Sequence, residues 1–273
     1  SRDTNVKITY DSDNLYIAVT LFDDPHKIDS RKSQYDDWYM GFDNNADYFV
    51  VEIDSRHDHQ TSFGFAVNSS GVKADYMIYD DDPDKIDDDW NNKWNAKTLI
   101  FDKGWTIEYS IPLKILQFST NVDMGINFIR YIKRLNEYSA WIVLPRTING
   151  VVSHYGHLKN MDIESIKYLS VKPYLLSGLT NYDDQYFTDN NFSSPIILNN
   201  NNQNEKIGLQ LKYMINSYAD LDIVFNPDFG QIEQDPSEIN LTGYETYFDE
   251  KRDFFINNSS LFTTPIDVFY SRR

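Results

Sequence analysis

Residues 47–75, DYFVVEIDSRHDHQTSFGFAVNSSGVKAD, carry the reading on which the fold turns. Tyr48 to Ile53, Thr61 to Val67 and Val72 to Ile78 are runs rich in β-branched and aromatic residues, separated by the turn-prone clusters SRHDH and NSSG. That is the pattern of a three-strand meander. Side chains alternate across a strand, so Phe49, Val51 and Ile53 fall on one face, as do Phe63, Phe65 and Val67 in the next strand. The meander is expected to bury that face under the rest of the first half of the chain.

Outward from this stretch the chain reads as short strands and turns. Asn5 to Asp11 and Leu15 to Phe22 predict a hairpin turning at Asp11-Ser12-Asp13-Asn14. Residues 23–45 form a polar loop, and residues 80–89, DDDPDKIDDD, an acidic one. Trp90 to Trp94 reads as one helical turn. Ala96 to Phe101 and Trp105 to Ile111 predict a second hairpin, Pro112 to Gln117 a short helix with Pro in its first turn, and Gly125 to Lys133 and Ala140 to Leu144 further strands. The expected fold class is all-β, with an antiparallel, jelly-roll-like β-sandwich over residues 1–162.

Composition narrows the function. Acidic side chains number 42 against 25 basic ones, a net charge of −17. A duplex-binding protein needs a basic face, so nucleic acid is an unsuitable partner. A negative field suits cations and neutral ligands, and it also serves solubility. The absence of cysteine excludes disulfides, thiolate metal sites and cysteine nucleophiles. There is no start Met and no long apolar run, and a strand begins at Val6, as expected of a mature or trimmed chain.

From Ile163 the texture changes. Tyr168 to Thr180 predicts a long strand, and the Asn-rich residues 181–205 a polar loop. Ile207, Leu209, Leu211, Tyr213 and Ile215 then alternate with Gly208, Gln210, Lys212, Met214 and Asn216. Ala219, Leu221, Ile223 and Phe225 alternate in the same way with Asp220, Asp222, Val224 and Asn226. On periodicity alone this fits an ordinary hairpin packed on a core, with transmembrane β-strands of about 9–11 residues as the other reading. In the second case residues 163–273 begin an incomplete barrel whose remaining strands lie beyond Arg273. Residues 227–273 are irregular. Leu241 to Asp249 reads as a short helix, and the mixed charges of the segment suggest a plug or gate folded into a lumen.

Two blocks carry resemblances. Asp36-Asp37-Trp38, Phe65-Ala66-Val67-Asn68 with Gly71, Trp90 and Trp94, Gly104-Trp105-Thr106-Ile107-Glu108, Ile111-Pro112 and Gly125-Ile126-Asn127-Phe128 resemble the family-9-like carbohydrate-binding module, a β-sandwich. Asn226-Pro-Asp-Phe-Gly-Gln-Ile-Glu-Gln-Asp-Pro236, Asn240-Leu241-Thr242, Tyr244-Glu-Thr-Tyr-Phe-Asp-Glu-Lys-Arg252, Phe254-Phe255 and Phe269-Tyr-Ser-Arg-Arg273 resemble an uncharacterised outer-membrane β-barrel family of Gram-negative bacteria. Asp253 stands where that family usually has Pro. The resemblances imply a glycan-binding sandwich fused to a barrel in the bacterial outer membrane, with the sandwich in the periplasm or at the cell surface. Its partners would be an oligosaccharide, membrane lipid and other envelope proteins. A structural or protein-docking module without a sugar ligand is the alternative.

The candidate site residues follow from this chemistry. Sugar C–H faces stack on aromatic rings, while hydroxyls need polar partners. Trp38 and Trp90, beside acidic loops, suit a binding rim. Trp94 abuts a strand and reads as core or as platform, and Trp105 reads as core. Arg56 and His57, in the turn of the meander, are candidate hydroxyl partners, or else simply solvated. Asp80, Asp81, Asp82 and Asp84 crowd one loop with hard oxygen ligands of the kind calcium takes, though not at EF-hand spacing. Related modules often carry structural calcium; a solvated loop is the other reading. No HExxH, GxSxG or phosphate-cradling glycine loop is present, so the chain reads as a binding protein rather than an enzyme.

Overall fold

The computed structural model describes residues 2–32, 36, 45–88, 90–118, 123–145, 147–163, 169–186, 196–216 and 219–226, with backbone alone for 178–186 and 196–204. The described residues form fourteen strands: β1 (Thr4–Tyr10), β2 (Asn14–Phe22), β3 (Tyr48–Asp54), β4 (Ser62–Asn68), β5 (Lys73–Ile78), β6 (Ile86–Asp87), β7 (Asn95–Phe101), β8 (Gly104–Pro112), β9 (Met124–Ile132), β10 (Glu137–Ala140), β11 (Gly156–Leu158), β12 (Leu169–Tyr186), β13 (Ile196–Asn216) and β14 (Ala219–Phe225). The chain divides into two units, Ser1–Tyr168 with Met214–Asp220, and Leu169–Tyr213 with Leu221–Arg273.

The first unit is an antiparallel sandwich. One sheet has the order β1-β2-β8-β7, the other β10-β9-β3-β4-β5-β6, with β11 also paired to β9. The meander forms as its pattern requires. Phe49 pairs with Val67, Val51 with Phe65 and Ile53 with Phe63, and all six lie in the main core. The facing sheet supplies Leu15, Ile17, Val19 and Leu21 from β2 and Trp105, Ile107, Tyr109 and Ile111 from β8. Burying such side chains stabilises by about 1.5–3 kcal/mol each.

The meander buries both of its faces, not one. Tyr48, Val50, Ala66, Ala74 and Tyr76 on the far side join Tyr131, Val152 and Tyr155 in a second core. Residues 147–155 return over this face because Asp81 accepts from the Val151 and Ser153 N–H groups at 2.8 and 3.0 Å and from the Ser153 hydroxyl at 2.6 Å. Beneath them Glu52 accepts from the hydroxyls of Tyr76 and Tyr155 at 2.8 and 2.7 Å. Burial pushes its carboxyl above the ordinary range.

Local expectations fail where side chains capture the backbone. Trp90 to Trp94 is irregular rather than helical, with the Asn92 N–H donating to Asp75 and Lys73 Nζ donating to the Trp94 carbonyl. The strand expected at 140–144 does not form: β10 covers Glu137–Ala140, and residues 141–144 lie outside any strand. Residues 113–115 form a 3₁₀ turn in place of the expected longer helix.

The second unit is the sheet β12-β13-β14. The Asn-rich segment expected as a loop continues the hairpin, with Thr180 paired to Asn202 and Tyr186 to Ile196. Backbone pairing sustains the ladder where the apolar alternation has stopped. Leu169 pairs with Tyr213, Val171 with Leu211 and Leu175 with Ile207. Leu169, Val171, Leu175, Ile207, Tyr213 and, in β14, Leu221, Ile223 and Phe225 are all exposed. Gly208 and Gln210, on the other side of β13, are less exposed. The helix expected at 241–249 and the plug at 227–273 lie outside the described residues.

Candidate functional site

The tryptophans named from sequence part company. Trp38 lies outside the described residues. Trp94 is 2% exposed, with its ring stacked on Tyr109 at 6.0 Å and edge-on to Phe65 at 5.3 Å. The Lys73 ammonium sits 4.8 Å above it. Trp90 is half-buried and stacks on Phe63 at 4.6 Å. These two rings close the sandwich beside β4 and β5. Trp105 is core, as expected. The Arg56 guanidinium lies over the Phe63 ring at 5.7 Å and donates to the Gln117 side-chain carbonyl.

Three carboxylates of the acidic loop have partners within the chain. Asp81 holds residues 151–153 as described above. Asp80 pairs with Lys85 at 2.8 Å, and Asp82 accepts from the Asp84 N–H at 3.0 Å. Among the described residues, metal-type donors from three side chains also converge at Asp54, His57 and His59.

A further candidate site, which the sequence did not single out, is built around Trp141. β10 ends at Ala140, and the Trp141 N–H still donates to the Phe128 carbonyl of β9 at 2.9 Å, one step on in the same register. The Ile142 N–H donates to Asn127 Oδ1 at 3.0 Å. The ring then lies over Gly156, where a Cβ would come within 2.3 Å of it, so only glycine permits this approach. Trp141 remains 56% exposed. It borders a cleft of about 500 Å³ between edge strand β1 and the β9-β10-β11 end of the other sheet. Val6, Ile8, Phe49, Ile126, Phe128 and Leu158 give an apolar floor; Thr4, Ser139 and His157 add polar groups.

Arg130 anchors the base of this cleft. It donates to the carbonyls of Arg2 and Phe22 at 2.8 and 3.0 Å and to the Thr4 hydroxyl at 3.1 Å. Asp23 lies 3.6 Å away. Burial lowers the guanidinium's pKa, and the charges of Asp23 and Asp47 oppose that. An exposed indole beside an apolar floor with hydroxyl and imidazole groups can stack a planar or pyranose face and hydrogen-bond its edge. The sequence signal was only that Trp141 is one of five tryptophans. Its exposure depends on where β10 stops.

Comparison with known proteins gives the following. A family model described as a domain of unknown function, DUF5916, matches residues 169–273. No curated protein matches the chain. Among solved structures, the chain is similar to a proposed carbohydrate-binding protein from Bacteroides uniformis ATCC 8492, with TM-score 0.43 and 12% identity over 59% of this chain and 78% of that one. It is also similar to a carbohydrate-binding module of family 9 from Caldicellulosiruptor kristjanssonii. The complex with cellotriose gives TM-score 0.39 and 16% identity over 61% and 78% of the two chains. The complex with glucose gives 0.40 and 17% over 61% and 80%.

Proposed function

We propose that the sandwich is a carbohydrate-binding module attached to an outer-membrane β-barrel, where it captures glycans for binding or uptake. The observation that carries the sugar reading is the exposed Trp141 ring at the mouth of an open, apolar-floored cleft. The observation that supports the barrel is the polarity of the second unit's sheet. Leu169, Val171, Leu175, Ile207, Tyr213, Leu221, Ile223 and Phe225 are exposed, whereas Gly208, Gln210, Lys212 and Asp222 are less so, a pattern closer to lipid-facing strands than to a sheet packed on an aqueous protein's core. Membrane lipid is then the partner of that face. The sequence resemblances point the same way for both halves. The docking or bracing alternative draws on the burial of Trp94 and the stacking of Trp90 on Phe63, which spend those two rings inside the protein.

The test is a glycan array probed with the whole chain, with and without calcium, beside the Trp141→Ala variant. A specific hit weakened about tenfold or more in the variant supports the reading. A hit indifferent to Trp141 moves the binding site elsewhere. A blank from folded protein favours the docking role.

A further inference from the structure

The turn between β3 and β4 holds an arrangement that glycan binding does not use. Asp54 ends β3, its side chain fully buried. Its two oxygens accept from the backbone N–H groups of Asp58 at 3.2 Å and His59 at 3.0 Å. These bonds fix the carboxylate and fold the turn back over it. His57 and His59 both take left-handed backbone conformations, with φ of 53° and 58°. One Asp54 oxygen and one ring nitrogen from each histidine come within 4.8 Å of one another. His59 Nδ1 stands 3.9 Å from Asp54 Oδ2, too far for a hydrogen bond. His57 Nδ1 is buried without a hydrogen-bond partner. A third imidazole, His157, lies edge-on to His57 at 5.2 Å.

Sheet register explains the space. Asp54 pairs with Gly125 of β9, and Gly125 pairs with His157 of β11. The three residues form one row on one face. A side chain at Gly125 would begin 3.0 Å from Asp54 Cβ and 3.5 Å from its Oδ2. Glycine there leaves room between a carboxylate and an imidazole.

A buried carboxylate and a buried, unpartnered ring nitrogen are each costly. One cation bound to both removes the two costs together. Two nitrogens and one oxygen suit zinc and its neighbours, whereas calcium takes about six to eight oxygens. Tetrahedral zinc ligands lie about 3.3 Å apart. The His59 side chain is 44% exposed, so it can turn without disturbing the core. We propose that Asp54, His57 and His59 bind one divalent transition-metal ion of the zinc type, with His157 packed beside the site.

The test uses the whole chain without a polyhistidine tag, stripped with chelator and titrated with Zn²⁺ and separately with Co²⁺. The expected result is one equivalent bound, visible ligand-field bands with Co²⁺, and no competition from Ca²⁺. His57→Asn and His59→Asn tolerate the left-handed backbone, and each should weaken Zn²⁺ binding about tenfold or more. Asp54→Asn should do the same. If circular dichroism shows that this variant does not fold, the two histidine variants decide. No stoichiometric zinc binding, or zinc affinity unchanged in both histidine variants, overturns the proposal.

Discussion

Asp75 should make the stability of the sandwich depend on pH in a way one substitution removes. It pairs with Phe65 across the meander and is 1% exposed. One carboxylate oxygen accepts from the Asn92 N–H at 2.8 Å, and the other is buried without a partner. Burial, and then the charge of Asp36, push the carboxyl from 3.8 up to about 7. A carboxyl raised on folding is protonated in the native state while still ionised in the unfolded one. Its stability contribution is therefore complete below pH 3.8 and is lost as pH rises to about 7. At about 1.36 kcal/mol per pH unit, the loss is about 4 kcal/mol. Asp75→Asn keeps an acceptor for Asn92 and has no proton to lose. Urea denaturation of both proteins from about pH 4 to about pH 8 should show the variant gaining about 4 kcal/mol over the wild type across the range. A difference that stays constant with pH would mean that Asp75 is ionised in the native protein at neutral pH, and the reasoning would be wrong.

Three further outcomes follow from the geometry. Gly104 has φ of +147° and a Cβ there would lie 2.0 Å from the Leu21 carbonyl oxygen, so Gly104→Ala should cost about 3 kcal/mol or more in a denaturant titration. Tyr155→Phe removes the 2.7 Å hydrogen bond to buried Glu52 and should cost about 1–3 kcal/mol; a loss well under this would mean that the hydroxyl is not needed to satisfy the carboxyl. Ile207 is 73% exposed on the apolar face of β13, so Ile207→Arg should leave stability in water within about 0.5 kcal/mol. In liposome flotation the same change should weaken lipid association by about 2–4 kcal/mol if this face meets the bilayer, and equal flotation of variant and wild type would count against the barrel.

Much of the sandwich was legible because its strands alternate and its turns are marked. β3 to β5, the β1-β2 and β7-β8 hairpins, and the buried Trp105 all follow from period-two patterns bounded by Asp, Asn, Ser and Gly. The second unit's apolar alternation in β13 and β14 was equally clear. The hairpin's extension through the asparagines was not, because pairing there rests on backbone groups that composition does not report.

The site was far less legible. Alternation tells which residues share a face, but not whether a second layer covers it. Residues 147–155 covered the meander's far face through Asp81, a carboxylate that in sequence was one of seven in a loop. Trp94 was drawn inward by packing against Phe65 and Tyr109, whereas Trp141 was left in solvent when β10 ended at Ala140. His157 reached His57 only because β11 pairs with β9. The sequence by itself determined the strand pattern, the inward set of the meander and the acidic, cysteine-free chemistry, since these depend on residue type and local spacing. The tertiary structure alone decided which aromatic rings face water and which distant donors converge, because strand registry and loop return are set by contacts between residues far apart in the chain.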